Sequence, residues 1–327
     1  KLAQKNWMIK HHGLEYDIEN IFYSHSVVAS MNVAIEAFSN TGDGVIVQTP
    51  VYPPFFHSVL NHDRKLLKNS LKQQDDGSYI FDIENFKSLI DEKTKLLLLC
   101  SPHNPVGRVW KKEELEQILK ICKENNIIVF SDEIHSDLVY MPNKHISFSA
   151  LDGAKDITIT AFGVGKTFNM AGFAISTILI ENEDLKTRFK KVYEKIHFAQ
   201  GNVLSHVAFE SAYTFGDKWL SELLVHLKKN YDSLKTLLDN YSEYIKLTPL
   251  EATYLAWLDC SGMKLNDKTL RKFFVQEAKL GLNSGISFGR EGSKFMRLNF
   301  AVSSLKMSQV IKQLEKALEK FHMNAKK

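Results

Sequence analysis

The sequence predicts an α/β protein with a mostly parallel central sheet and a smaller α+β unit at its C-terminal end. Two observations predict it. Short apolar runs alternate with longer helical patterns over the first half of the chain, as they do when crossover helices cover a sheet. Beyond about residue 186 the pattern changes to long helices with a few isolated strands. The apolar runs lie at residues 45–48, 95–100 (KLLLLC), 127–131 (IIVFS), 157–162 (ITITAF) and 177–180. Runs this continuously apolar are expected to be buried on both faces, hence parallel. Helical spacing predicts helices over 2–12, 30–39 and 111–124, the last with Leu115, Ile118, Leu119 and Cys122 on one face. Further helices are expected over 185–195, 203–215, 218–240, 268–279 and 308–321, with strands at 253–258 (TYLAWL) and 295–300. The reading divides the chain into a large domain, residues 1–240, and a small C-terminal domain, residues 241–327.

Composition narrows the function. The 327 residues carry a net charge of +4, from 42 basic and 38 acidic residues spread along the chain, which gives no basic patch for nucleic acid. No apolar run reaches the roughly 18 residues of a membrane span, and no signal peptide opens the chain. Cys100, Cys122 and Cys260 fit no metal spacing and no disulfide framework, so a reducing, cytoplasmic setting is expected. His11 and His12 are adjacent on the opening helix and point to different faces, so no metal site is expected there. The chain opens on Lys1, already inside a helical pattern, and a further segment upstream is expected. Lys326 and Lys327 read as a solvated tail, residues 289–292 (GREG) as a turn near the substrate mouth, and Tyr241 with Tyr244 as cover for the interdomain surface.

In an open parallel sheet, ligands bind beyond the C-terminal ends of the strands. Asn104 follows KLLLLC, Asp132 follows IIVFS, and Lys166 follows ITITAF, each about 30 residues from the next, which is one βα repeat. Taken singly, each is most often a surface or turn residue. Together they suit pyridoxal 5'-phosphate (PLP), which needs an amine for a Schiff base, a carboxylate for the ring nitrogen and further polar partners for its ring oxygen and phosphate. The stretch from His25 to Ser30 leads into a helix whose free amides suit a phosphate. Tyr52, after the first run, offers a ring able to stack on a flat one, although taken singly such a residue is most often a packed aromatic.

The segments SPHNPVGRVW, VFSDEIHSDLVY, GKTFNMAGF, EATYLAWLDC and FMRLNFA resemble, in order, those of the fold-type-I PLP enzymes. More narrowly they are similar to the cystathionine β-lyase-like C–S lyases, a branch of the class I and II aminotransferases. The resemblance implies the aspartate aminotransferase fold, PLP as cofactor and a homodimer acting on a small amino acid. It implies Lys166 as the Schiff-base lysine, Asp132 at the pyridine nitrogen, Asn104 at the ring oxygen and His135 close to that oxygen. Tyr52 is then the stacking ring, the Val27 and Val28 amides the phosphate cradle, and Arg297 the grip on the substrate carboxylate. The expected reaction is β-elimination from cystathionine or a related cysteine S-conjugate to a thiol, pyruvate and ammonia. Transamination is the alternative, and a weakly active or regulatory member of the fold is a third. The chain departs from the pattern in two places. Gly163 and Gly165 stand where hydroxyl residues are usual, and Ala174, eight residues after Lys166, replaces an arginine common in aminotransferases. The second departure is shared with the lyase branch.

Overall fold

The computed structural model describes residues 1–195 and 202–326. Its central sheet has seven strands: β1 (Ile21–Ser24), β2 (Gly44–Thr49), β3 (Lys65–Ser70), β4 (Thr94–Cys100), β5 (Ile128–Asp132), β6 (Thr158–Phe162) and β7 (Ser176–Leu179). Their spatial order is β1-β7-β6-β5-β4-β2-β3. Strands β3, β2, β4, β5 and β6 are mutually parallel.

Alternation along β4 shows why so apolar a run is needed. Leu97 and Leu99 pack on one side with Leu115 and Ile118, whereas Leu96 and Leu98 pack on the other with Met31 and Ile35. All four leucines are fully buried. Successive strand side chains point to opposite faces, so a strand covered by helices on both sides has no polar face to offer. The covering helices are α1 (Leu2–His12), α2 (Val27–Phe38), α3 (Pro54–Asn61), α4 (Ile83–Ser88), α5 (Lys112–Glu124), the single turn α6 (Val164–Thr167), α7 (Glu183–Lys195) and α8 (Val203–Phe215), and α9 (Asp217–Asp239) follows them and packs on the closing helix, Ser304–Ala325. The predicted face of α5, Leu115, Ile118, Leu119 and Cys122, is buried.

One expectation is corrected here. β7, the run at 177–180, is antiparallel to both its neighbours, β1 and β6. The link from β6 to β7 holds only one helical turn and a 3-10 turn (Ala171–Phe173), with no crossover helix of the kind that usually returns a chain parallel. Lys166 lies within this short reversal.

A second, four-stranded antiparallel sheet follows: β8 (Lys246–Leu247), β9 (Leu255–Asp259), β10 (Asn283–Ser284) and β11 (Phe295–Asn299), in the order β8-β9-β11-β10. Helices α10 (Asp267–Lys272) and α11 (Ser304–Ala325) accompany it. The expected helix over 268–279 is α-helical only to Lys272 and then widens into a π turn, Phe273–Glu277. Residues 289–292 form a 3-10 turn whose Glu291 accepts a hydrogen bond from Ser70 Oγ at 2.7 Å. The turn lies against Gly285, where a Cβ would stand 2.2 Å from the Gly292 carbonyl oxygen. Tyr244 packs against the closing helix. Its hydroxyl meets His322 Nδ1 at 2.9 Å and its ring meets Phe321, both on α11. Tyr241 also faces this helix, near Glu315 and Glu319. Lys327 lies outside the described residues.

Candidate active site

The C-terminal tips of three adjacent parallel strands carry three side chains of unlike chemistry. Asp132 is the last residue of β5 and pairs in register with Cys100 of β4 and Ala161 of β6. Asn104 follows β4 by one turn of loop, and Lys166 sits on α6 directly after β6. From the other side, β1 delivers the chain into α2, where Val27 and Val28 open the helix. The Ser26 side chain accepts the Ala29 amide at 3.1 Å and caps it. Val27 and Val28 keep the unpaired amides of a first turn. Tyr52 follows β2, and Arg297 reaches in from β11 of the second sheet. All eight residues singled out from the sequence line one cavity of about 290 Å³, close to the lower end of the range for small-molecule sites.

The loops that carry them are tied together. The Tyr52 amide donates to the Asn104 carbonyl at 3.1 Å, and His103 Nε2 meets the Pro50 carbonyl at 2.8 Å. The Asn104 amide donates to Cys100 Sγ at 3.4 Å. Arg297 Nη1 donates to Asn104 Oδ1 at 2.8 Å, and its Nη2 donates to Asn283 Oδ1 at 3.0 Å. With Oδ1 engaged, Asn104 presents its amide donors. The Arg297 guanidinium also lies 4.7 Å over the Phe288 ring.

Burial dominates the electrostatics. It raises the Asp132 carboxyl to about 7, against the lowering effects of the Ile134 amide at 3.1 Å and of Lys166. It lowers the Lys166 amine, with Asp132 opposing and Arg297 assisting. It lowers His135 to about 3, with Lys166 and Arg297 adding to the effect, so His135 is neutral. His135 Nδ1 is buried without a hydrogen-bond partner among the described residues.

Sequence reasoning passed over other lining residues. Tyr254 sits 5.8 Å from His135, ring centre to ring centre, in an edge-on contact, and burial raises its phenol. Asn299 lines the cavity two residues beyond Arg297 on the same strand. The period of two puts it on the face of Arg297 and would have found it. Tyr254 carried no such signal. Its neighbour Thr253 takes a positive φ of 71°, a local backbone turn that no pattern in the sequence marks. Among the described residues no group of His, Cys, Asp and Glu has the arrangement of a metal site.

A converging amine, carboxylate, amide and guanidinium, set beyond parallel strand tips with a helix N-terminus facing them, define an enzyme of the PLP-dependent fold-type-I class. The sequence profile of the family "Aminotransferase class I and II" matches residues 1–314, and the chain belongs to that family. The cystathionine beta-lyase PatB of Bacillus subtilis (strain 168) is 36% identical over 320 residues, which are 97% of this chain and 82% of the relative. Cystalysin from Treponema denticola, whose crystal structure contains pyridoxal 5'-phosphate, superposes with a TM-score of 0.95 at 36% identity, over 98% of this chain and 81% of that one. The PLP-bound C–S lyase from Staphylococcus hominis superposes with a TM-score of 0.90 at 31% identity, over 97% of this chain and 82% of that one.

The residues fit the cofactor. The buried His135 Nδ1 lacks a partner, the Asp132 carboxyl faces the cavity, and the Lys166 amine is shifted toward its neutral form. Lys166 is suited to hold PLP covalently and Asp132 to face its ring nitrogen. Asn104 is suited to donate to the ring oxygen, and the α2 amides to cradle the phosphate. Just before the turn that carries Lys166, Gly163 is extended with φ −172°, and a Cβ there would stand 3.4 Å from Ser176 Cβ. A hydroxyl residue would therefore be accommodated, but glycine supplies none.

Proposed function

We propose that this chain is a PLP-dependent carbon–sulfur β-lyase that cleaves cystathionine or related cysteine S-conjugates to a thiol, pyruvate and ammonia. The observation that carries the reading is the desolvated Lys166 amine, set in one cavity with Asp132, Asn104 and Arg297. The lyase names of the similar proteins support the branch. PLP bound here supplies an electron sink for negative charge at the substrate α-carbon. Arg297 binds the substrate carboxylate through its two terminal nitrogens. Lys166, lowered from the ordinary lysine value, is able to take the α-proton as a general base. The carbon–sulfur bond then breaks toward sulfur, and water releases pyruvate and ammonia. His135, neutral and without a partner on Nδ1, holds its ring beside Tyr254 at the same cavity wall. Neither ring places a second positive charge beside Lys166. We read the working form as a cytoplasmic homodimer, with residues 1–240 and 241–327 as its large and small units.

The test is direct. The purified protein, given PLP and cystathionine, is expected to produce pyruvate without an added keto acid. Lys166→Ala should abolish the visible absorption of bound PLP and the pyruvate signal together. Amino transfer to a keto acid at rates above pyruvate release would select the transaminase reading instead. A protein that stays colourless with saturating PLP would select a non-catalytic one.

A further inference from the structure

The short turn that carries Lys166 has little to stiffen it. Gly163 precedes it and Gly165 lies inside it, and glycine leaves a backbone freer than any other residue. Internal bonds are few: the Phe168 amide donates to the Val164 carbonyl at 3.0 Å, and the Met170 amide to the Gly165 carbonyl at 3.1 Å.

The residue after Lys166 is anchored from outside. Thr167 Oγ1 donates to Asp137 Oδ2 at 2.8 Å, and the Thr167 carbonyl accepts from Trp219 Nε1 of α9 at 3.1 Å. Asp137 is in turn held by α1. Its Oδ1 accepts Trp7 Nε1 at 2.9 Å and meets His12 Nε2 at 2.7 Å. Thr167 is fully buried and Asp137 nearly so. Burial raises the Asp137 carboxyl, yet the bonds from His12, Trp7 and Thr167 outweigh it and hold the group below its ordinary value. The Trp7 ring meets Phe168 and Tyr213 edge-on, so the same helix grips the far side of the turn.

We infer that Asp137 and Thr167 are positioning residues: Asp137, locked by Trp7 and His12 of α1, fixes Thr167 and thereby aims the Lys166 amine into the cavity. This rests on the reading of Lys166 as the cofactor lysine. It gives the buried carboxylate, which touches neither the cavity nor the reacting atoms, a task in assembling the site. It also gives α1 one, since two of the three partners of Asp137 come from that helix.

The experiment follows capture of PLP by the cofactor-free protein, read as visible absorption and as the fraction of Lys166 fixed by borohydride reduction. Thr167→Val keeps shape and removes only the hydroxyl, leaving Asp137 with Trp7 and His12. Asp137→Asn keeps size and removes the charge. Both should weaken PLP capture roughly tenfold or more, the scale on which losing a hydrogen bond to a charged group acts. Thr167→Ser, which keeps the hydroxyl, should restore capture to near wild type. Equal capture by Thr167→Val and wild type would overturn the inference, as would a fall with Thr167→Val that Thr167→Ser does not mend. A lowered melting temperature with unchanged capture would assign the cluster to stability alone, and also overturn it. A wild-type protein that captures no PLP at Lys166 would instead defeat the lysine assignment itself.

Discussion

At the scale of single residues, desolvation sets the chemistry. Asp132 is protonated more readily in the folded chain than its ordinary 3.8, rising to about 7, so the folded state binds an extra proton between those values. Stability of the cofactor-free protein should therefore fall as pH rises through that window, because the unfolded state has already released the proton. Asp132→Asn should melt higher than wild type above about pH 7, and the advantage should fade below about pH 4. Paired thermal melts across that range check it. His135 acts in the opposite direction. Lowered from 6.5 to about 3, it stays neutral when folded, and it withdraws stability as pH falls below its ordinary value. His135→Gln should flatten the acid limb of the same melts. Arg297 offers a third test. Arg297→Lys replaces a two-pronged donor with a point charge, so KM for an amino-acid substrate should rise by about tenfold or more while kcat changes less.

Elements decide where these side chains stand. Helix α2 begins where β1 ends, and the Ser26 cap fixes that start. Ser26→Ala should cost about 1 kcal/mol of stability, read by chemical denaturation. It should also loosen the Val27 and Val28 amides, which a lower PLP affinity would report. The strands that carry Asn104, Asp132 and Lys166 were legible because each is buried almost throughout and reads as a short run of apolar and β-branched residues. β3 was not, since its KLLKNS lies at the sheet edge, where exposed and buried positions mix. β1 was hidden for a similar reason: four residues, two of them only half-buried. The reversal at β7 was illegible in another way. An apolar run shows burial and not direction, and the link before this one holds a single helical turn in place of a crossover helix. Of the site, those residues that follow strand tips could be read, as could Arg297 through the family resemblance. Tyr254 and Asp137 could not. One depends on a backbone turn at Thr253, and the other acts through partners more than 100 residues away in the chain, Trp7 and His12.

For the molecule as a whole, the two sheets meet along a seam of backbone bonds. The Ala252 amide donates to the Gly107 carbonyl at 2.8 Å, and the Thr253 amide to the Leu138 carbonyl at 2.7 Å. Beside them, Glu251 accepts the Val109 amide at 2.7 Å. Glu251→Ala should leave that buried amide unsatisfied and cost about 1–3 kcal/mol, measured by denaturant titration. Loops from the first sheet are thereby fastened to the chain that enters the second. Arg297 completes the join from β11 through its bond to Asn104. That last link carries a signal as well as a load. A carboxylate arriving at the guanidinium competes with the Asn104 oxygen, and whatever the asparagine amide touches must register the exchange. An acid without an amino group should thus tint the loaded protein, shifting its colour without being consumed.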